Sequence, residues 1–110
     1  MEADPIAVVI TTTADSKSIL EVIAEKLVEQ KLAACCQIGG PIDSTYLWQG
    51  KVENSQEYVC TIKSVPALAQ QVIATIGDLH SYDEPEIVVT PIIGGSESYL
   101  KWIVDSVKSV

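Results

Sequence analysis

The sequence contains no arginine, a single histidine and only three cysteines among its 110 residues. Its lysines are outnumbered by 15 acidic residues, which gives a net charge of −8. Because nucleic acids and anionic membrane surfaces attract basic patches, this balance argues against both as partners. An odd and sparse set of cysteines is not a secreted disulfide framework, and it fits a reducing compartment.

Long hydrophobic runs are also missing. No stretch approaches the ~20 apolar residues of a membrane-spanning helix, and the short apolar run at 6–10 follows an acidic N-terminus, unlike a signal peptide. We therefore expect a cytoplasmic protein with a disordered N-terminus over residues 1–5. With 47% hydrophobic and 20% charged residues, the chain is expected to fold as one domain over residues 1–110.

The apolar patterns that are present predict the order β-α-β-β-α-β, followed by a last helix. Strands are predicted over 6–13, 32–48, 51–63 and 87–93, with an interruption at Gly39-Gly40-Pro41 and a tight turn at Gln49-Gly50. Asp15 or Ser16, Ser64 and Ser96 are the expected N-caps of the three helices. Gly77 is expected to end the second helix, and Pro91 favours an edge position for the last strand.

This order is that of an α+β, ferredoxin-like fold. Two right-handed crossovers place both main helices on one face of a four-stranded antiparallel sheet. The second and last strands then form opposite edges, the other face of the sheet is expected to be bare, and a long β-hairpin projects from the domain. Because such apolar surfaces need cover, the pattern predicts a homo-oligomer.

Five short motifs follow one another between residues 6 and 108. They are Leu32-Ala33-Ala34-Cys35, Ser44-x-Tyr46-x-Trp48-x-Gly50-Lys51-Val52-Glu53, Ile62-Lys63, His80-x-Tyr82-x-x-Pro85-Glu86-Ile87 and Tyr99-Leu100-x-Trp102. Together they resemble the CutA family of divalent-cation tolerance proteins. The resemblance implies a homotrimer of PII-like architecture, and copper binding is attributed to some members of the family.

The chain departs from the pattern of that family at two places. Where the family commonly has His-Pro-Tyr-Glu, this sequence has His80-Ser81-Tyr82-Asp83. Where some members carry a cysteine proposed to bind copper, it has Thr11-Thr12-Thr13. The copper ligands proposed for those members are therefore not all present here.

His80, Asp83 and Glu86, with Glu84 beside them, form a candidate metal site. Imidazole and carboxylates make a mixed site for copper or another divalent ion, here of low affinity. The alternative is a solvated acidic loop. Cys35 is expected on the opposite edge of the sheet from His80, roughly 14 Å away at ~4.8 Å per strand, so only a neighbouring subunit could join them on one metal.

A second candidate site lies where the last strand starts beside the end of the first. The residues assigned to this small-ligand cleft, or alternatively to a trimer interface, are Thr11, Cys35, Tyr46, Trp48, Lys63 and Tyr82. Lys63 is expected at the same end of the sheet, and the cleft gains aromatic walls if the two hairpin aromatics reach in from a neighbouring subunit. Polar groups that converge between aromatic walls describe a site for a small metabolite.

Signatures of catalysis are scarce. The sequence has neither a G-x-S-x-G nucleophile elbow nor a Walker loop or G-x-G-x-x-G turn. We therefore expect a protein that is not an enzyme and carries no organic cofactor. Three functions stay open: a metal-tolerance protein, a PII-like sensor of a small metabolite, and a trimeric scaffold without a ligand.

Overall fold

A computed structural model describes residues 5–110 of the chain; residues 1–4 of the predicted disordered N-terminus lie outside this range. The elements are β1 (Ala7–Ala14), α1 (Lys17–Glu29), β2 (Cys35–Trp48), β3 (Lys51–Ser64), a 3₁₀ turn (Pro66–Leu68), α2 (Ala69–Leu79), β4 (Ile87–Ile92) and α3 (Glu97–Ser106). The four strands form one antiparallel sheet in the order β2-β3-β1-β4. The predicted α+β order and both predicted edge strands are confirmed.

The main core lies between the sheet and the helices α1 and α2. Alternate residues of β1 and β3, such as Ile10 and Ile62, point to this side and are fully buried, as the period of two in a strand requires. The helices contribute residues at helical spacing, which are Leu20, Ile23 and Leu27 from α1 and Val72 and Ile76 from α2. The apolar stripes in the sequence therefore do place both helices on one face.

The sequence pattern predicted that the opposite face of the sheet is bare, and this prediction is wrong. The helix α3 covers part of that face. This helix packs against β1 and β3, and its Ile103 is fully buried. Lys63, which points away from the main core, has its Nζ atom 5.7 Å from the centre of the Tyr99 ring. The backbone N–H of Lys108 donates to the carbonyl of Lys31 at 2.8 Å, which anchors the chain after α3.

The hairpin of β2 and β3 extends well past the rest of the sheet. The two strands pair from Cys35 to Trp48, whereas β1 pairs with β3 only from Tyr58 to Ser64. The radius of gyration is 14.8 Å, against about 13 Å expected for a compact domain of this length. The hairpin closes at Gln49-Gly50, where both residues have positive φ, as a tight two-residue turn needs.

Two predicted helix boundaries are wrong. Ser64 is the last residue of β3 rather than an N-cap, and its buried Oγ donates to the carbonyl of Leu32 at 2.6 Å. Gly77 lies inside α2, which continues to Leu79. A helical glycine costs only about 1 kcal/mol, and Leu79 packs against the core.

In residues 5–110, no helix is long and apolar enough to cross a membrane.

Candidate functional site

An open cavity of about 570 Å³ lies between the hairpin, the end of β1 and the loop 80–86. It is lined by Thr13, Ser44, Thr45, Tyr46, Trp48, Glu57, Tyr82, Asp83, Glu84 and Glu86. Tyr46 and Trp48 of β2 supply aromatic walls to the cavity of their own chain.

His80 positions the loop at one side of this cavity. Its Nε2 is 2.7 Å from the carbonyl oxygen of Thr13, and its Nδ1 accepts the backbone N–H of Tyr82 at 3.1 Å. Because a carbonyl can only accept, these partners assign the proton to Nε2 and leave Nδ1 as the acceptor. Both ring nitrogens are thus engaged in holding the loop against the end of β1, and a metal ion would have to displace one of these bonds.

The predicted metal ligands are only partly brought together. Asp83, Glu84 and Glu86 line the cavity with their neighbours, while the nitrogens of His80 face other partners. Across the described range 5–110, no three His, Cys, Asp or Glu side chains are close enough to hold one metal ion. The predicted trio of His80, Asp83 and Glu86 is therefore not an assembled site in this structure.

Glu57 is the functional candidate that the sequence analysis missed. It lies on the hairpin strand β3, yet only 8% of it is exposed. Tyr82 covers it, and the Tyr82 hydroxyl donates to Glu57 Oε2 at 2.8 Å. Its burial comes from a loop far along the chain, so the strand's own alternation carried no signal for it.

The hydroxyl of Tyr82 is held in its neutral form by this environment. Burial raises its pKa above the ordinary value of 10.0, and the hydrogen bond to Glu57 and the negative charge of Glu57 and Asp15 act in the same direction. A phenolate beside a carboxylate would repel it and would lose the hydrogen bond. Tyr82 and Glu57 thus form a stable donor–acceptor pair at neutral pH.

Lys63 does not lie in the cavity, and this part of the prediction is wrong. Because β3 runs antiparallel to β1, its end lies beside the start of β1: Lys63 pairs with Val9, whereas Thr13 pairs with Val59. The four residue steps from Val9 to Thr13 span about 13 Å. The Lys63 Nζ instead donates to Gln37 Oε1 at 2.7 Å.

Thr11 and Cys35 also lie outside the cavity. Thr11 pairs with Thr61 and Val88 in the middle of the sheet, and Cys35 lies opposite Lys63 on the edge strand β2. With Lys63 elsewhere, the cavity lining contains four carboxylates and no basic side chain. The charge of the site is therefore strongly negative, which changes the class of ligand that it favours.

The three cysteines are free thiols. Cys60 is fully buried, and its proximity to Cys36 on the neighbouring strand, together with burial, raises the pKa of Cys36 well above its ordinary value. A thiol that resists deprotonation is a poor metal ligand and a poor nucleophile. Cys60 in the core and Cys36 packed against it act here as small hydrophobic side chains.

Tyr82→Phe is expected to remove an alkaline phase of unfolding. Since the pKa of Tyr82 is raised in the folded state, the wild type binds more protons folded than unfolded above pH 10, the model-peptide value. Its stability therefore falls as the pH rises beyond about 10. The variant should be less stable at pH 7 by about 1 kcal/mol, and this difference should shrink with increasing pH.

Urea unfolding from pH 7 to the alkaline range measures this effect, with Tyr99→Phe on α3 as the control. The control keeps the Tyr82–Glu57 pair and should track the wild type. If the stability difference between wild type and Tyr82→Phe stays constant across the alkaline range, the raised pKa of Tyr82 in the folded state is contradicted.

Comparisons of this chain with family models, with known proteins and with solved structures all point to one family. The sequence model of the family described as "CutA1 divalent ion tolerance protein" matches residues 8–106. Protein CutA, chloroplastic, from Arabidopsis thaliana is 34% identical over 94% of this chain. The divalent-cation tolerance protein CutA of Thermus thermophilus is 37% identical over 86% of the chain and 92% of its own length.

The solved structures agree with the sequence relatives. The crystal structure of CutA1 from Shewanella sp. SIB1 superposes with a TM-score of 0.92 and 38% identity, covering 97% of this chain and all of that one. The lengths differ among relatives, since the chain spans 57% of the Arabidopsis protein. The likeness thus covers nearly the whole of the chain described here.

Proposed function

This chain belongs to the CutA1 divalent ion tolerance protein family, and on that premise we propose that it is a homotrimeric, cytoplasmic protein that binds copper or another divalent metal ion weakly and contributes to the response to metal ions. The observation that carries the proposal is the cavity, which is lined by four carboxylates and no basic side chain. Negative potential in a partly enclosed cleft raises the local concentration of cations.

Low affinity follows from the geometry of the ligands. Carboxylate oxygens suit hard divalent ions, and imidazole suits copper. Asp83, Glu84 and Glu86 line one side of the cavity, but they are not arranged around a common point where an ion would bind. His80 could join only by giving up its bond to Thr13 or to Tyr82, so binding of copper would include the cost of that exchange.

The trimer is supported by apolar residues on the parts of the sheet that extend furthest. Leu47 is 72% exposed, Val52 67% and Ile93 98%. Such residues on a projecting hairpin and at the end of an edge strand are typical of surfaces that are covered by another subunit. Native mass spectrometry should give three times 11.9 kDa for the wild type; a monomer would contradict the trimer.

Isothermal titration with Cu²⁺ and with Mn²⁺ tests the metal proposal. We expect weak binding to the wild type, in the range of about 1–100 μM, and a loss of about tenfold or more in the triple variant Asp83→Asn, Glu84→Gln, Glu86→Gln. His80→Ala separates the two ions, because imidazole contributes to copper binding and hardly to manganese binding.

The control variant is Glu21→Gln, Glu25→Gln, Glu29→Gln on α1. It removes the same charge from an exposed face away from the cavity and should keep the wild-type affinity. Equal loss in both triple variants would mean that net charge alone attracts the metal, and no heat for either ion would contradict metal binding altogether.

A second candidate is a PII-like sensor that binds a small metabolite. The size of the cavity and its aromatic walls favour this function, since ligand sites combine apolar walls with a few convergent polar groups.

The cytoplasmic location belongs to the first proposal, that of a metal-binding protein. Free cysteines fit a reducing cytoplasm, although the Arabidopsis relative is named as chloroplastic.

A further inference from the structure

The buried carboxylate of Glu57 is the least expected group in the cavity. We infer that the cavity binds a small organic molecule that carries a protonated amine or guanidinium group, with Glu57 as the counter-charge and Tyr46 and Trp48 as aromatic walls. This inference goes beyond metal binding and does not depend on it.

Glu57 has no salt-bridge partner among residues 5–110. More than nine-tenths of the residue is buried, and a carboxylate removed from water is costly unless it is paired and hydrogen-bonded. The Tyr82 hydroxyl donates to Oε2, and the carboxylate lines the cavity beside Asp83, Glu84 and Glu86, with no basic side chain in the lining. A cationic N–H group of a ligand would supply the counter-charge that the lining lacks.

Trp48 and Tyr46 make an organic cation a better fit than a bare metal ion. Both side chains line the cavity and stay about half exposed, at 49% and 44%. The face of an aromatic ring attracts an organic cation, and tryptophan does so most strongly. Bare metal ions instead require several oxygen or nitrogen ligands around them, and the described part of the chain has no such group of three.

The size and the charge of the cavity exclude other ligand classes. Its volume of about 570 Å³ lies within the range of small-molecule sites, about 300–1,000 Å³. An anionic metabolite would meet Asp83, Glu84 and Glu86 at the rim without a basic side chain to pair with. The carboxylates and the aromatic walls of the cavity thus favour a cation with an alkyl body that can lie along those walls.

Isothermal titration in the presence of a chelator tests this inference without interference from metal ions. The probes are agmatine and 1,5-diaminopentane, with 1,5-pentanediol as the uncharged analogue of the diamine. We expect both cations to bind and the diol to bind at least about tenfold more weakly, because it lacks the charge that Glu57 compensates.

Glu57→Gln identifies the counter-charge. Its side-chain carbonyl can still accept the Tyr82 hydroxyl, so the shape is kept while the charge is lost. Affinity for the two cations should fall about 10- to 100-fold, whereas Glu25→Gln on α1 should leave it unchanged. Trp48→Leu should reduce it about two- to fivefold.

The outcomes separate this inference from the metal proposal. Binding of the diol as tight as that of the diamine, unchanged affinity in Glu57→Gln, or no binding of either cation at about 10 mM would each overturn it, whatever the metal titrations show. If Glu57→Gln does not fold, two measurements still test the inference. They are the comparison of diamine with diol on the wild type and the titration of Trp48→Leu.

Discussion

Replacing Gly40 by alanine is expected to destabilise the protein by about 2–4 kcal/mol. Gly40 lies in the β-bulge of β2 with a φ of +128°, a backbone conformation that side chains rarely adopt. A Cβ atom there would lie 3.1 Å from the Glu57 carbonyl oxygen and 3.2 Å from the Cα of Tyr58. Both neighbours are backbone atoms of β3, so they cannot move without disturbing the sheet.

Urea unfolding measures this cost, and Gly77→Ala is the matched control. Gly77 is helical and exposed, and a Cβ atom there would meet nothing within 4 Å. Alanine should stabilise the protein at that position by about 0.5–1 kcal/mol. Opposite signs are therefore expected for the same chemical change, and a Gly40→Ala variant as stable as the wild type would show that the bulge relaxes freely.

The bulge at Gly40 also affects the cavity. The register of β2 and β3 shifts between Gly39 and Ile42, and Ile42 then pairs with Glu57. All residues of β2 that line the cavity follow this shift. A bulge bends and twists a strand, so Gly40→Ala should weaken diamine binding as well as stability, although it touches no ligand.

The sequence predicted the elements well where a single physical rule decides them. The apolar stripe of α1, the continuous apolar run of β1 and the Gln49-Gly50 turn each reflect local chain geometry, and the structure confirms the helix, the strand and the turn. Ser64 shows where such local rules fail. Its hydroxyl has a partner 32 residues away at Leu32, and no pattern around Ser64 distinguishes that bond from an N-cap.

The site was predicted less well, because it depends on which ends of strands meet. Tyr82 and Glu86 were placed correctly from the antiparallel pairing of β4 with β1. The same pairing rule, applied to β3, excludes Lys63 from the cavity, and the prediction erred there by placing a cation among the carboxylates. Glu57 was beyond sequence reasoning, since its burial requires a loop whose path only the folded chain defines.

The double variant Leu47→Asp, Val52→Asp is expected to convert the proposed trimer into a monomer. The two residues are paired across β2 and β3 near the hairpin turn. Burial of each such side chain contributes about 1.5–3 kcal/mol to an interface, and a buried unpaired carboxylate opposes association. In a closed ring of three subunits, every loss is repeated at each of the three contacts.

Native mass spectrometry at several concentrations measures the change, from three times 11.9 kDa to 11.9 kDa. Val22→Asp, Val28→Asp is the control, because these valines are 56% and 44% exposed on the outer surface of α1. It adds the same charge and should stay trimeric. If the hairpin variant stays trimeric over the same range of protein concentration as the wild type, the interface lies elsewhere on the chain.

The same monomer tests whether the cavity belongs to one subunit. Neither Leu47 nor Val52 lines the cavity. A dissociated variant with an intact hairpin should therefore bind 1,5-diaminopentane within about threefold of the wild type. A much larger loss of affinity would mean that a neighbouring subunit covers the open side of the cavity in the trimer and contributes to binding.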